Sequence, residues 1–231
     1  MTGPAVANLA GVYERWGRSE EVIRLTQQSL SILTEVGDHA GAGMALGNLG
    51  EVYERLGRYD EALDHHRRSL AVFRQHGIRS FEGRALGNLA SAYRHLGRGA
   101  EAIETGQTAL AVIRDTGDPE GEAAVLDCLG AAYLDLGRSE EAAERFREAL
   151  DLAVAIGDRQ RESAVLCGLG GVLASTDRPH EALTYYQTAL GIARETGDRV
   201  LEAGAQAGIE SLDGGGDGAS RAQQARSGTR R

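Results

Sequence analysis

The chain has 231 residues, a formal net charge of −9 and only two cysteines. The acidic balance excludes the phosphate-neutralising footprint of direct nucleic-acid binding. No apolar run nears the roughly 18 residues of a membrane span, and no signal-peptide pattern opens the chain, so a cytoplasmic protein with reduced thiols is expected. The first predicted element lies at residues 4–16, where Leu9-Ala10-x-x-Tyr13 already reads as the core of a helix. No polar cap precedes it. Either Pro4 starts a shortened helix or further sequence stood upstream. In both cases that face is expected to be sticky, through end-to-end self-association or contact with a preceding domain.

The same pattern returns every 40 residues, as Leu49-Gly50-x-x-Tyr53, Leu89-Ala90-x-x-Tyr93, Leu129-Gly130-x-x-Tyr133 and Leu169-Gly170-x-x-Leu173. A fixed period of this size marks one supersecondary unit, stacked so that neighbours jointly bury an apolar face. Within residues 45–84, Leu46, Leu49, Gly50, Tyr53 and Leu56 recur at helical spacing. Gly57 supplies a left-handed stop. Arg58 suits the negative end of that helix, and Asp60-Glu61 suit the positive start of the next. Ala62, His66, Ser69, Leu70 and Phe73 continue the stripe until Gly77. Asp38, Asp118, Asp158 and Asp198 follow glycines and are placed to cap the next helix, with Pro119 at a first helical position. Ile78 breaks that series, so Ser80 is expected to cap there, a residue or two late. Gly50, Ala90, Gly130 and Gly170 on first helices, and Ala62, Ala102, Ala142 and Ala182 on second helices, permit close crossings. The tyrosine column fills volume between layers. Gly99 and Gly106 mark residues 99–113 as a soft layer, because each lowers helix propensity and Gly106 stands where other repeats carry a larger residue.

Leu-Gly-x-x-Tyr, then Gly, then Ala, resembles the tetratricopeptide repeat, in a 40-residue long-helix form like that of the Leu-Gly-Asn adaptors, kinesin light chains and actinobacterial regulator sensor arrays. The tripeptide itself stands at Leu46-Gly47-Asn48 and Leu86-Gly87-Asn88. HEAT-like repeats share the length but lack the Gly-x-x-Tyr…Gly-Arg…Ala order. The resemblance implies an all-α, right-handed α-solenoid over residues 4–213, with repeats near 5–44, 45–84, 85–124, 125–164 and 165–204 and a capping helix to 213. Glu210 and Asp213 take the packing positions of that last helix, as a polar terminal face requires. The tail 214–231 is glycine- and arginine-rich, carries Arg221, Arg226, Arg230 and Arg231 against Asp217, and reads as disordered.

No catalytic constellation emerges, and no cofactor or metal is expected. Gly168-Leu169-Gly170-Gly171 sits in repeat register and lacks a following Lys-Ser/Thr. Of His65-His66-Arg67-Arg68, only His66 falls on the core stripe, half-buried by expectation. Cys128 and Cys167 read as reduced packing residues. The resemblance instead implies a protein- or peptide-binding scaffold whose concave groove is lined by first helices. Register transfer places Asn8, Asn48, Glu51, Arg55, Arg84, Asn88, Arg94, His95 and Asp127 there. Asn8, Asn48 and Asn88 form a ladder able to pair with an extended backbone, and Arg84 and Arg94 are expected to receive acidic groups. The alternative is the sensing array of a transcriptional regulator or STAND-type signalling ATPase, with its effector domain missing or encoded upstream.

Overall fold

A computed structural model describes residues 18–212; Asn8, Asp213 and the tail fall outside them. Nine helices follow one another as α1 (Ser19–Glu35), α2 (His39–Arg55), α3 (Tyr59–Gln75), α4 (Arg79–His95), α5 (Gly99–Thr116), α6 (Pro119–Asp135), α7 (Ser139–Ile156), α8 (Arg159–Ser175) and α9 (Pro179–Thr196). Residues 199–212 form α10. Turns of two or three residues join α1 to α9, and each has a glycine at positive φ except the turn before α9, where Asp177 takes that place. The chain divides into two compact units, one ending at Ala132 and the other beginning at Tyr133, a boundary inside α6.

The predicted stops and caps are present. Asp38, Asp118 and Asp158 accept from the backbone N–H of Gly41, Gly121 and Arg161 at 2.9–3.0 Å, and Asp198 accepts from Val200 and Leu201. Ser80 is a correction. It is the second residue of α4, Ile78 holds the cap position, and no side chain caps that helix. The left-handed Gly77 already fixes where the chain turns, so α4 begins in register without a capping oxygen.

Arg58 does more than meet a helix dipole. Gly57 turns the chain so that the Arg58 N–H returns to the Tyr53 carbonyl at 2.9 Å. That turn lays the guanidinium over the Tyr53 ring, 4.6 Å from its centroid, while Nε donates to Glu61 at 2.9 Å. Arg98 repeats the arrangement with Tyr93 and Glu101, and Arg138 with Tyr133 and Glu141. The tyrosine column therefore carries an arginine on its face as well as filling the layer. A second recurrent pair joins α3, α5 and α9 to the first helix that follows each: Arg74–Glu82, Arg114–Glu122 and Arg194–Glu202.

In the first unit α1 packs on α2, α2 on α3, α3 on α4 and α4 on α5, and α2 also touches α4. Small residues sit under large ones at the crossings. A Cβ on Gly43 would stand 2.4 Å from the Phe73 ring, one on Gly83 2.4 Å from Ile113, and one on Gly50 2.3 Å from the His66 ring. Beside the first of these, Ser69 Oγ donates to the Gly43 carbonyl at 2.8 Å. Gly106 leaves no void, because the Leu129 side chain occupies the space a Cβ would need, at 2.8 Å.

In the second unit α7 packs on α8 and α8 on α9. Ser163 Oγ donates to the Ala189 carbonyl at 2.9 Å, so a serine secures this crossing as Ser69 does, but from the first helix instead of the second. Phe146 lies against Gly168, and Tyr186 against Gly170 and Gly208. Ala205 and Ile209 of α10 join a cluster with Leu166, Leu190 and Ile192, while Glu210 is exposed.

Candidate functional site

The first unit holds every predicted groove residue except Asn8, which lies outside the described residues. On α2, Asn48, Glu51 and Arg55 fall at helical spacing on one stripe, and all three are exposed. On α4, Arg84, Asn88, Ser91 and His95 form the matching stripe. The contact of α2 with α4 brings these stripes together. Asn88 Nδ2 donates to Glu51 Oε1 at 3.1 Å, and Ser91 Oγ donates to Glu54 Oε2 at 3.3 Å. Two donors one turn apart thus face two carboxylates one turn apart, forming a seam between successive first helices.

Behind this seam lies His66 of α3. It is fully buried, not half-buried as the sequence implied, because Gly50 offers no side chain and the ring fills the gap. Its Nε2 stands 3.4 Å from Glu54 Oε1, and both ring nitrogens and that oxygen lack a hydrogen-bond partner. Its neighbour His65 turns the other way, with Nδ1 2.9 Å from the Glu61 carbonyl and its ring tilted against Tyr53.

The basic cluster does not stay together. Arg84, expected to receive a ligand's acid, has its guanidinium on Asp118 at 2.8 Å and on Glu120 at 3.4 Å. The reason is geometric: Arg84 lies toward the start of α4, level with the capping aspartate of α6. The pairing raises Arg84 further above its ordinary range and holds the Asp118 carboxyl below the usual carboxylate range, the Arg84 hydrogen bond being the larger cause in each case. At the other end of α4, the Arg94 guanidinium approaches His95 Nε2 at 3.3 Å, and His95 stacks on Tyr59 with ring centroids 4.8 Å apart. Asp127 is half-buried on α6.

The asparagine ladder is uneven. Asn48 is exposed, Asn88 is half-buried and bonded, and the next position is the half-buried Cys128. Both cysteines are half-buried. Among the described residues no group of three or more His, Cys, Asp or Glu side chains could hold a metal ion, and no helix is long and apolar enough to cross a membrane.

Helix pairs that repeat, pack consecutively and line a seam with first-helix side chains define an α-solenoid repeat protein. The tetratricopeptide repeat profile matches residues 4–75, 81–155 and 122–195. The chain belongs to the tetratricopeptide repeat family. It is similar in fold to BtubC from P. vanneervenii at 20% identity and TM-score 0.68, covering 84% of this chain and 80% of that one. A putative kinesin light chain with nearly identical repeats from Podosopora anserina gives TM-score 0.64 at 20% identity, covering 84% and 95%. A STAND signal-transduction ATPase with a tetratricopeptide repeat sensor from Pyrococcus horikoshii gives 0.71 at 19% identity, covering 91% of this chain and 32% of that one. A Rap protein complexed with competence and sporulation factor gives 0.73 at 14% identity, covering 90% and 64%. Comparison with curated proteins gives no match.

The recurrent Tyr–Arg–Glu stacks escaped the sequence reading, although Tyr53-x4-Arg58-x2-Glu61 recurs at Tyr93 and Tyr133 and could have signalled them. The pairing of Glu54 with His66 left no such signal, since His66 occurs in one repeat alone.

Proposed function

We propose that the chain is a non-catalytic scaffold that binds an extended protein segment along the first helices of residues 18–132. The observation that carries this reading is the α2–α4 seam. It sets Asn48, Glu51, Arg55, Asn88 and His95 side by side on one lining, where backbone and side chains of a segment could be read together. Arg94 and Asp127 border it; Arg84, tied to Asp118, is not part of the contact surface proposed. The partner is a protein or peptide, with no direct role for nucleic acid, and the setting is cytoplasmic. End-to-end association through the N-terminal repeat belongs to the same proposal and is tested by sedimentation at high concentration.

A second reading, the sensing array of a transcriptional regulator or STAND-type ATPase, is favoured by the likeness to the Pyrococcus horikoshii sensor protein, of which this chain covers 32%. Both readings use the seam. Asn48→Ala combined with Asn88→Ala should weaken a partner isolated from the source organism about tenfold, removing one or two neutral hydrogen bonds of ~1 kcal/mol each. Unchanged affinity in a variant of unaltered helicity would move the site off the seam.

A further inference from the structure

Two carboxylates on the seam stand apart from their neighbours. In the same unit Glu61, Glu82, Glu101, Glu122 and Asp118 each bond to an arginine. Glu51 and Glu54 have no arginine partner among the described residues; their contacts are Asn88, Ser91 and His66. Glu54 Oε1 is buried without a hydrogen-bond partner, and the ring facing it is fully buried with neither nitrogen bonded. Unsatisfied buried polar atoms are few in native proteins, and two of them, Glu54 Oε1 and His66 Nε2, face each other here at 3.4 Å on a carboxylate that has no arginine.

We propose that the Glu51–Glu54 turn, backed by His66, seats an arginine side chain of the bound segment. The inference rests on the groove reading above and names the partner's chemistry. Two carboxylates one helical turn apart present oxygens on one lining, and a guanidinium offers five donors in a planar fork that matches them. Asn88 and Ser91 hold the two carboxylates from the α4 side, leaving further lone pairs for the guest. His66 is a positioning residue. It fills the space above Gly50 and stands 3.4 Å from the buried inner oxygen of Glu54, which leaves the other oxygen, the one Ser91 bonds, on the seam side. The polarity is the reverse of what Arg84 and Arg94 suggest from sequence, because Arg84 is already neutralised by Asp118 and Glu120.

The test uses the full 15N-labelled chain and two capped pentapeptides, Gly-Ser-Arg-Ser-Gly and the same sequence with citrulline, which keeps the shape and loses the charge. The arginine peptide should give saturable amide shifts at Glu51, Glu54, Asn88 and Ser91 and bind about tenfold more tightly than the citrulline peptide. In Glu51→Gln/Glu54→Gln, an isosteric pair checked by circular dichroism, that preference should vanish. Equal binding of the two peptides at these amides would overturn the arginine seat while the groove reading stands. Arginine-peptide binding unaltered by the double substitution would place the seat elsewhere and likewise overturn it. Shifts from both peptides confined to positions off the seam would remove both readings.

Discussion

Residues 18–132 and 133–212 are written in the same 40-residue unit, yet they fill its centre in opposite ways. In the first, the second helix carries His66 or Gly106 at the position nearest the first helices, and the ladder positions carry Asn88 and Cys128. In the second, that second-helix position carries Phe146 or Tyr186, and the ladder positions are Gly168 and Gly208, where a Cβ would stand 2.5 Å from the aromatic ring. Volume is exchanged between the two helices. Where the second helix contributes a large ring, the first helix can show no side chain on its lining. Where it contributes a smaller group, the lining can display a polar residue. A packing decision in the core thus sets which part of the chain has a chemically equipped seam.

The sharpest way to break this comparison is to write the ladder into the second unit. Gly168→Asn must displace the buried Phe146 ring, and overpacking of this kind costs about 1–3 kcal/mol or more. The urea midpoint should fall accordingly, whereas Asn88→Gly in the first unit should lose only the Glu51 bond and some helix propensity, about 1–2 kcal/mol. A neutral Gly168→Asn would show that Phe146 moves aside freely and that the exchange of volume does not govern the lining.

Gly106→Ala is next. From helix propensity alone the change should gain about 1 kcal/mol. Leu129 is buried and already occupies the site, so the expected net effect is a loss of roughly 1 kcal/mol, read from the thermal or urea midpoint. A stabilised variant would support the expectation that residues 99–113 form a soft layer.

What was legible in the sequence was whatever is decided locally. Glycines at 57, 97 and 137 with positive φ, and aspartates at 38, 118 and 158 with cap bonds, announce themselves within a few residues. Register alone assigned the candidate residues from Asn48 to Asp127 to first helices, and they lie on α2, α4 and α6. Their partners were not legible. Asn88 finds Glu51 and Arg84 finds Asp118 across separations of 37 and 34 residues, and only packing determines which carboxylate each meets. For the same reason Gly106 suggested a gap that Leu129, on the next helix, in fact fills.

The Arg84–Asp118 pair gives the first unit an acid sensitivity. Asp118 is held below its unfolded value, near 3.9 for an aspartate, chiefly by the Arg84 hydrogen bond, with the Gly121 N–H adding in the same direction. A depressed carboxyl stabilises the fold above its unfolded pKa, and that contribution is lost as pH falls from about 4 toward the folded pKa. Arg84→Gln should therefore lower stability modestly at pH 7 and show a smaller further loss between about pH 4 and 2. Urea midpoints for the two proteins that stay parallel over this range would mean the exposed pair contributes nothing measurable.

The smallest expected effect concerns a turn. Gly57, Gly97 and Gly137 stand at left-handed φ between first and second helices, but the fourth such turn has Asp177, at φ 58°. The turn still closes, with the Arg178 N–H on the Leu173 carbonyl at 3.0 Å. An L-residue in this region costs on the order of 1–2 kcal/mol, less for Asp, which tolerates it better than most. Glycine removes that cost but frees the unfolded chain, so the net gain from Asp177→Gly should be about 0.5 kcal/mol. The reciprocal change is available in the same unit. A Cβ at Gly137 would meet nothing within 4 Å, so Gly137→Asp tests the backbone alone. Opposite shifts of similar size in urea midpoint are expected from the two substitutions. If Gly137→Asp is neutral while Asp177→Gly destabilises, the Asp177 carboxylate is contributing through its side chain and the backbone account of this turn is wrong.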